Sequence, residues 1–307
     1  MMTVYDIIIA GAGPAGLTAA LYARRAGKTV LLIEKESFGG QIVLSPLVEN
    51  YPFTKPLSGT ELVDSLVNAV LSLGAEICVD TVTGVTKNED GSLLVKTEYD
   101  SFTARSLIIA TGLKHRRLGL EGEASFIGKG ISFCAVCDGA FFKGKTVAVI
   151  GGGNTAVQDA IYLSKLCKKV YLIHRRDRFR AEKKVVDGLD TCTNVELIMN
   201  SKVVKLSGSD KIESITVEST VDGSMQVLNV EGIFAAVGQE PNNAAFSELV
   251  DLDDAGFVIA GENCCTKQPN IFAAGDCRTK SVRQLVTAGA DGGVSAIAAC
   301  EYIDSNF

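Results

Sequence analysis

The chain has 307 residues, enough for two domains of ordinary size, and its 47% hydrophobic and 21% charged residues give it a globular composition. Its net charge of −6 argues against the basic surface that nucleic-acid binding needs. No apolar run approaches the roughly 20 residues of a membrane span, so we expect neither nucleic acid nor membrane as a partner. A strand begins directly after Met1–Thr3 without a signal-peptide pattern, which predicts a cytoplasmic protein.

The N-terminal region has the pattern of a nucleotide-binding βαβ unit. The apolar strand Val4–Ala10 leads into the motif Gly11-Ala12-Gly13-Pro14-Ala15-Gly16 and a helix over Pro14–Ala26. A second buried strand over Thr29–Ile33 ends at Glu34. A right-handed crossover makes the two strands parallel neighbours.

Each glycine of this motif has a physical role in holding a dinucleotide. Gly11 permits a tight turn, Gly13 lets the backbone approach a pyrophosphate, and Gly16 allows close packing of the helix on the strand. The helix N-terminus offers free N–H groups to the phosphates. Glu34 can accept hydrogen bonds from ribose hydroxyls, so a nucleotide site is favoured over a purely structural glycine turn.

The same pattern starts again in the middle of the chain. A strand over Thr146–Ile150 leads into Gly151-Gly152-Gly153-Asn154-Thr155-Ala156, a helix to Leu166 and a strand over Lys169–Ile173. The acid of the first unit is replaced by the run His174-Arg175-Arg176-Asp177-Arg178-Phe179-Arg180. Forked guanidinium groups bind a 2′-phosphate that a carboxylate would repel. This run predicts NADP(H) rather than NAD(H), and the alternative is a solvated charged turn.

Two linkers separate this second unit from the rest of the chain. Lys114–Arg117, which includes His115, Arg116 and Arg117, is interpreted as a solvated crossing linker, and Gly238–Asn243 as a second one rich in turn residues. Helices over Ser58–Leu73 and from about Gln284 to Tyr302 are predicted outside them. The second nucleotide domain, 114–242, is therefore expected to be inserted into a first domain formed by 1–113 and 243–307.

Cys134 and Cys137 have the spacing of a redox-active pair. Such a small loop commonly holds a thiol of lowered pKa and a readily exchanged disulfide, and Asp138 can act as a general acid toward a leaving thiolate. The alternative is half of a zinc site, but zinc needs four ligands, and the chain has only two histidines and no second CxxC. No metal site is expected.

The remaining cysteines do not have redox spacing. The vicinal pair Cys264-Cys265 is interpreted as structural, and the isolated cysteines as small buried hydrophobes of a reducing compartment. These isolated residues are Cys78, Cys167, Cys192, Cys277 and Cys300.

Together these motifs resemble the low-molecular-weight, bacterial-type thioredoxin reductases, class II members of the pyridine nucleotide-disulfide oxidoreductase family, over nearly the whole chain. Further short motifs that carry the resemblance are Gly39-Gly40-Gln41, Glu49-Asn50-Tyr51-Pro52, Ala110-Thr111-Gly112, and Gly275-Asp276 followed by Arg283-Gln284. The resemblance implies an α/β fold of two Rossmann-like dinucleotide-binding domains of three-layer ββα type, the NADP domain being inserted into the FAD domain. It also implies a homodimer.

The resemblance further implies which residues form the sites. Those expected to contact FAD are Gly11, Gly13, Pro14, Ala15, Gly16, Glu34, Gly40, Gln41, Asn50, Thr111, Gly112, Gly275, Asp276, Arg283 and Gln284. Those expected to hold NADPH are Gly151, Gly153, Asn154, Thr155, Ala156, His174, Arg175, Arg176 and Arg180. Cys134 and Cys137 would be the redox pair, with Asp138 as proton donor.

Three positions depart from the usual pattern of the family. Asn154-Thr155 stands where many members have Asp-Ser, Phe53 where a glycine is more usual, and Cys277 follows the Gly-Asp motif. The loss of a charge at Asn154 concerns the nicotinamide side of the nucleotide site, where hydrogen-bonding capacity is retained.

The implied activity is that NADPH reduces FAD, FAD reduces the Cys134–Cys137 disulfide, and the dithiol reduces thioredoxin or a thioredoxin-like protein. The disulfide and the nicotinamide site share one domain, yet both must reach the same flavin, so rotation of the domains about the linkers is predicted.

Other functions make different demands on the sequence. A reductase that takes electrons from ferredoxin, or a dithiol oxidase that passes them to oxygen, would not need Arg175, Arg176 and Arg180. A peroxiredoxin-reducing flavoprotein usually carries an additional N-terminal redox domain. A non-enzymatic nucleotide-sensing protein would not need a CxxC followed by Asp138.

Overall fold

The computed structural model describes residues 4–45, 47–52 and 54–307; Phe53, one of the departures noted above, lies outside them. The first segment contains β1 (Val4–Ala10), α1 (Pro14–Arg25), β2 (Val30–Glu34), α2 (Gly59–Ser72), β3 (Glu76–Val79), β4 (Val82–Lys87), β5 (Leu93–Thr97), β6 (Ser101–Ile109) and β7 (Leu113–His115). The middle segment contains α3 (Glu123–Phe126), β8 (Ile131–Ser132), α4 (Ala135–Asp138), β9 (Thr146–Gly151), α5 (Asn154–Ser164), β10 (Lys169–Ile173), α6 (Lys183–Val186), β11 (Val195–Ile198), β12 (Ser201–Ser207), β13 (Ser214–Ser219), β14 (Met225–Asn229) and β15 (Gly232–Ala236). The last contains β16 (Gln239–Pro241), β17 (Ile271–Ala273) and α7 (Leu285–Asn306).

The chain divides into two compact units, one formed by 1–114 and 240–307 and the other by 115–239. In the first unit β3, β2, β1, β6 and β17 form a parallel sheet, and β5 and β4 continue it as antiparallel strands. Alternate residues of β1 face opposite layers: Ile7 and Ile9 pack against α1, α2 and α7, whereas Ile8 packs against the side that includes β4 and β5. This alternation follows from the two-residue period of a strand.

The second unit repeats these layers. The strands β11, β10, β9, β15 and β8 form a parallel sheet, and β12, β13 and β14 form a separate antiparallel sheet. Val147 and Val149 of β9 face α5, while Ala148 and Ile150 face the antiparallel strands. The α/β class with two Rossmann-like units is therefore confirmed. No helix among the described residues is long and apolar enough to cross a bilayer.

The two stretches interpreted as linkers contain regular structure. Leu113–His115 and Gln239–Pro241 pair as a two-stranded sheet, because adjacent extended segments satisfy their backbone groups by pairing. His115 is half-buried rather than fully solvated: its ring stacks on Phe133 with centroids 4.7 Å apart, and partial burial lowers the pKa of His115 to about 4. Arg116 and Arg117 are exposed, as expected.

Candidate cofactor sites and redox centre

The first glycine loop has one sterically open position between two closed ones. A Cβ on Gly11, whose φ is +108°, would lie 2.3 Å from the carbonyl oxygen of Ala110, and one on Gly16 would lie 1.9 Å from that of Gly11. Around Gly13 a Cβ would meet nothing within 4 Å. The backbone of Gly13 is thus free to be approached by a phosphate, while the flanking glycines close the turn and seat the helix.

Glu34 ends β2 beside this loop and is almost fully buried, with 9% of its surface exposed. Its Oε2 accepts a hydrogen bond from the backbone N–H of Ala12 at 2.8 Å, and its Oε1 accepts one from that of Glu36 at 3.1 Å. A cleft at this end of the sheet is lined by Ala10, Gly11, Ile33, Glu34, Lys35, Asp80, Thr81, Val82, Thr111, Asn242 and Phe246. Its position at the carboxyl ends of parallel strands suits one half of a dinucleotide.

Several other predicted residues lie near this loop or near one another. A Cβ on Gly40 would lie 3.6 Å from the Cα of Gly13, so the short 3₁₀ turn Gly40–Leu44, which carries Gln41, adjoins the open glycine. Asn50 Nδ2 lies 3.5 Å from Gln284 Oε1. Gln284 is the N-cap of α7 and forms a capping box with Thr287.

Asp276 lies in the 3₁₀ turn Gly275–Cys277, and its Oδ1 is buried without a hydrogen-bond partner among the described residues. Burial raises the pKa of this carboxyl, against the opposing effect of Lys280 and Arg283. A Cβ on Gly275 would lie 2.9 Å from the Cβ of Ala15, so the turn packs on the start of α1. A buried polar atom without a partner fits a bound group that supplies one.

An ion-pair network that the motifs did not predict holds this turn in place. The guanidinium of Arg278, only 1% exposed, donates from Nε and Nη2 to the two carboxylate oxygens of Asp291, at 2.9 and 2.8 Å. Lys280 Nζ and the N–H of Gly275 donate to the same Asp291 Oδ2 at 2.8 and 2.9 Å. Because Asp291 belongs to α7, the network fixes the turn to that helix, and its partners lie too far apart in the chain for spacing to reveal them.

The Thr111-Gly112 motif is fixed in a comparable way. The hydroxyl of Thr111 donates to Asn243 Oδ1 at 2.7 Å, and Asn243 Nδ2 donates to the carbonyls of Gly256 and Cys277, both at 2.9 Å. Asn243 was considered only as part of a linker, but it is almost completely buried. Arg283 Nε donates to the carbonyl of Asp276 at 3.3 Å, so this predicted residue also braces the 3₁₀ turn.

The glycine loop of the second unit repeats the closed–open pattern. A Cβ on Gly151 would lie 2.3 Å from the carbonyl oxygen of Ala236, and Gly153 has nothing within 4 Å. Ala156, fully buried, takes the position of the third glycine, and Thr155 is exposed at the start of α5. Gly153 is therefore the open approach to the backbone in this unit.

His174 and the arginines that follow it in the chain lie in different environments. His174 is 5% exposed and lies directly under the loop, where a Cβ on Gly152 would come within 2.1 Å of its ring. Its ring stacks on Phe179 with centroids 5.6 Å apart, and within the described part of the chain its Nε2 is buried without a hydrogen-bond partner. Burial lowers the pKa of His174, and the nearby arginines lower it further, which favours the neutral imidazole.

The guanidinium groups that follow His174 form an exposed basic surface. Arg175, Arg176 and Arg180 are all exposed, and no ion pair to them is found in the part of the chain that the structure describes. The backbone N–H of Arg180 donates to the carbonyl of Gly152 at 2.7 Å, which brings this residue to the glycine loop. Asn154 pairs through its side chain with Glu182, just beyond the run.

The structure contains a disulfide between Cys134 and Cys137, whose Cα atoms are 5.3 Å apart. Cys134 caps the four-residue helix α4, and its Sγ accepts a hydrogen bond from the N–H of Cys137 at 3.2 Å. Both residues are partly exposed, and Val136 between them is 52% exposed. The disulfide is thus open to exchange with another thiol or disulfide.

Asp138 completes this centre. Ser132 Oγ donates to Asp138 Oδ2 at 2.6 Å and accepts from the N–H of Cys134 at 3.1 Å, and Oδ1 of Asp138 is buried without a partner. Burial raises the pKa of this carboxyl, and the hydrogen bond from Ser132 opposes the rise. A carboxyl that keeps its proton beside a disulfide can act as a general acid. Ser132 was not singled out beforehand, because a serine two residues before a cysteine has no distinctive pattern.

The other seven cysteines are free thiols. Cys264 is buried, with a positive φ of 61°, and burial raises its pKa to about 12, whereas the neighbouring Cys265 is exposed. The buried Cys277 lies within 3.4 Å of the carbonyls of Ile109 and Ala274.

Two dinucleotide-binding units, one of which carries an exchangeable disulfide beside a protonatable carboxyl, define the class of nucleotide-dependent disulfide oxidoreductases. A family model described as pyridine nucleotide-disulphide oxidoreductase matches residues 5–292. The chain is 42% identical to a thioredoxin reductase of Listeria innocua, over 98% of this chain and 94% of the relative. It is 38% identical to a bifunctional thioredoxin reductase/thioredoxin of Mycobacterium leprae, over 98% of this chain and 66% of that one.

The solved structure of thioredoxin reductase from Streptococcus pyogenes superposes with a TM-score of 0.94 at 38% identity, covering 99% of this chain and 100% of that one. The chain belongs to the pyridine nucleotide-disulphide oxidoreductase family and, within it, to the thioredoxin reductases. Membership implies flavin and nicotinamide cofactors.

Proposed function

We propose that this chain is a thioredoxin-disulfide reductase in which NADPH, FAD and the Cys134–Cys137 disulfide form the electron pathway. One observation carries the proposal: the partly exposed disulfide and the half-buried carboxyl of Asp138 lie in the unit whose glycine loop adjoins an arginine surface. The names of the relatives agree with it, since one of them joins a thioredoxin reductase and a thioredoxin in a single protein.

The first unit fits FAD. Gly13 leaves space at the loop, Glu34 offers a carboxylate at the end of β2, and Asp276 Oδ1 is a buried atom in need of a partner. If FAD bound there, its reduced form would supply the electron pair needed to open the Cys134–Cys137 bond. The segments 1–113 and 243–307 are accordingly assigned to the FAD domain.

The second unit, 114–242, fits NADPH. Gly153 leaves space for the pyrophosphate at the N-terminus of α5. Arg175, Arg176 and Arg180 offer forked donors for a 2′-phosphate, and nothing comparable follows β2, which ends in an acid. This difference favours NADPH over NADH and over a ferredoxin donor.

The residues of the chain account for the proton in disulfide opening. Cleavage of the S–S bond by two electrons leaves two thiolates, one of which needs a proton before the pair can act as a dithiol. Burial raises the pKa of Asp138 and so favours its protonated form, and Asp138 directly follows Cys137 in the chain, so its carboxyl is the group that can supply this proton. The remaining thiolate then attacks the thioredoxin disulfide, a mixed disulfide forms, and the second cysteine releases reduced thioredoxin.

Two further parts of the proposal concern assembly and motion. The exposed face of α7 presents Val286, Ala290, Val294 and Ile297, with Tyr22 of α1 also exposed. An apolar strip of this kind fits the interface of a homodimer. Sedimentation of the purified protein should therefore give twice the mass of the chain. A monomer mass at micromolar concentration would contradict this. Domain rotation about the linkers Lys114–Arg117 and Gly238–Asn243, and a cytoplasmic location, stay predictions.

An anaerobic titration of the flavin-loaded protein tests the electron pathway. NADPH should bleach the flavin absorbance at far lower concentration than NADH, and oxidised thioredoxin should restore it. In the Arg175→Ala, Arg176→Ala double variant the NADPH requirement should rise by roughly tenfold to a hundredfold, because charge-assisted hydrogen bonds to the 2′-phosphate are lost. NADH titration should not change, which makes it the internal control. Bleaching by neither nucleotide would refute NADPH as the donor.

A further inference from the structure

The segment that carries the arginines is tied to the second glycine loop by three hydrogen bonds. The N–H of Arg180 donates to the carbonyl of Gly152 at 2.7 Å. Farther along, the N–H of Glu182 donates to Asn154 Oδ1 at 2.8 Å, and Asn154 Nδ2 donates to Glu182 Oε1 at 3.1 Å. The side chain of Asn154 thus makes a two-point pair with one residue, using its acceptor and its donor together.

This pair depends on an amide at position 154. Asn154 is the first residue of α5 and follows the open glycine Gly153, so it stands where a pyrophosphate would meet the helix. An aspartate there could still accept from the N–H of Glu182. It could not donate to the carboxylate of Glu182, and the two carboxylates would repel each other.

The pair complements two anchors on the other side of Arg180. Phe179 stacks on the buried ring of His174, and the Arg180 backbone is bonded to Gly152. Without the Asn154–Glu182 pair, the segment after Arg180 would lose both of its side-chain bonds to the loop. The exposed guanidinium of Arg180 would then be free to swing away from the nucleotide, because its own side chain has no ion pair among the described residues.

We propose that Asn154 and Glu182 form a clamp that holds Arg180 at the glycine loop, and that this clamp sets the preference for a 2′-phosphorylated nucleotide. Asn154 is here a positioning residue that acts through Glu182 and Arg180. The inference rests on the proposed NADPH site. It also gives a physical reason for Asn154, the position at which this chain departs from the Asp-Ser pattern.

The test measures nucleotide binding rather than turnover, by titration calorimetry of the oxidised, flavin-loaded protein with NADP⁺ and with NAD⁺. Asn154→Asp should raise the Kd for NADP⁺ by about three- to tenfold, the range expected when one hydrogen bond is replaced by repulsion. The Kd for NAD⁺ should rise less than the Kd for NADP⁺, because the new carboxylate faces the pyrophosphate that both nucleotides share, whereas the loss of the Arg180 position affects only the 2′-phosphate. Glu182→Gln, which can still accept from Asn154 Nδ2, should leave both values within about twofold of wild type.

The double variant Asn154→Asp, Glu182→Gln decides the matter. Its glutamine can donate to the new aspartate, so the NADP⁺ Kd should return to within about twofold of the wild-type value. Failure of this rescue, an unchanged NADP⁺ Kd in Asn154→Asp, or an equal loss for NAD⁺ would each overturn the clamp. Thermal unfolding of each variant shows whether it is folded, and both residues are at the surface of the unit.

Failure of the proposed function gives a different result. If wild-type protein binds NAD⁺ as tightly as NADP⁺, the assignment of the arginines to a 2′-phosphate is wrong. If wild type prefers NADP⁺ and Asn154→Asp keeps the full preference, the nucleotide site stands and only the clamp is refuted.

Discussion

The two units have the same glycine-loop backbone but carry side chains of opposite charge beside it. Counted from the first glycine of each loop, Glu34 and His174 occupy the same position, and so do Ala12 and Gly152. Glu34 Oε2 accepts a hydrogen bond from the backbone N–H of Ala12, and this arrangement leaves room for the methyl side chain of Ala12. The His174 ring fills the space where the Cβ of residue 152 would be, so only glycine fits there.

Under the proposed assignment of FAD to the first unit and NADPH to the second, this difference would let one fold select two nucleotides. In the first unit the carboxylate of Glu34, at the end of the second strand, accepts a hydrogen bond from the loop. In the second unit the His174 ring, whose lowered pKa favours the neutral form, packs under the loop. The charged groups are the exposed guanidinium groups of Arg175, Arg176 and Arg180. The open glycines, Gly13 and Gly153, are equivalent in both.

The largest expected effect comes from a test of whether thiol–disulfide exchange is confined to the second unit. Cys134→Ser should reduce thioredoxin turnover by more than about 10³-fold, because no disulfide remains to be opened. Bleaching of the flavin by NADPH should persist. The matched control is Cys265→Ser, which removes an exposed thiol of the first unit and should leave turnover unchanged. A large loss in the control would place thiol–disulfide chemistry in the first unit as well.

Asp138→Asn should produce the next largest effect. Loss of a general acid should lower thioredoxin turnover by about 10²- to 10⁴-fold, while the nucleotide Kd stays the same. Burial raises the pKa of Asp138, so the protonated acid is lost as pH rises through that raised value, and wild-type turnover should fall on the alkaline side. The variant's pH profile should lack this fall; a variant within tenfold of wild type would rule out the proposed role.

The contact between His174 and Gly152 gives a smaller effect. Gly152→Ala should destabilise the protein by about 1–3 kcal/mol, the usual cost of overpacking, and should weaken NADP⁺ binding. His174→Ala in the same chain should recover most of the stability, which thermal unfolding measures. Ala12→Gly is the matched change in the first unit and should cost less. Equal losses for the two loop variants would remove the distinction between the units.

The smallest effect concerns the helices that follow the loops, where Asp159 of α5 takes the position of the buried Ala19 of α1. Burial raises the pKa of Asp159 from 3.8 to about 7. The folded state therefore binds more protons than the unfolded state between about pH 4 and 7, and stability from this group falls as pH rises across that range.

Asp159→Asn should accordingly raise the melting temperature at pH 8 and change it little near pH 4. Asp222 is a control of opposite sign, because local hydrogen bonds lower its pKa to about 2. Its stabilisation is lost only as pH falls below about 4, so Asp222→Asn should show no benefit at pH 8. If the melting temperature of Asp159→Asn follows that of wild type at every pH, the raised pKa of Asp159 is contradicted.

The sequence alone determined the features that repeat locally. The periodicity of β1, α1, β9 and α5, the glycine spacing and the Cys134/Cys137 spacing depend on neighbours within a few residues, and the structure confirms these elements with small shifts of their ends. The basic run after β10 could be identified for the same reason.

Tertiary structure decided what depends on residues far apart in the chain. The Arg278–Asp291–Lys280 network, the Thr111–Asn243 bond and the His115–Phe133 stack join segments whose spacing carries no periodic signal. The fold also buries His174 and leaves the neighbouring arginines exposed, a difference that the composition of the run does not indicate. A local sequence pattern indicates the preferred backbone conformation of a segment. The desolvation of side chains and their hydrogen-bond partners depend instead on which residues the fold brings into contact.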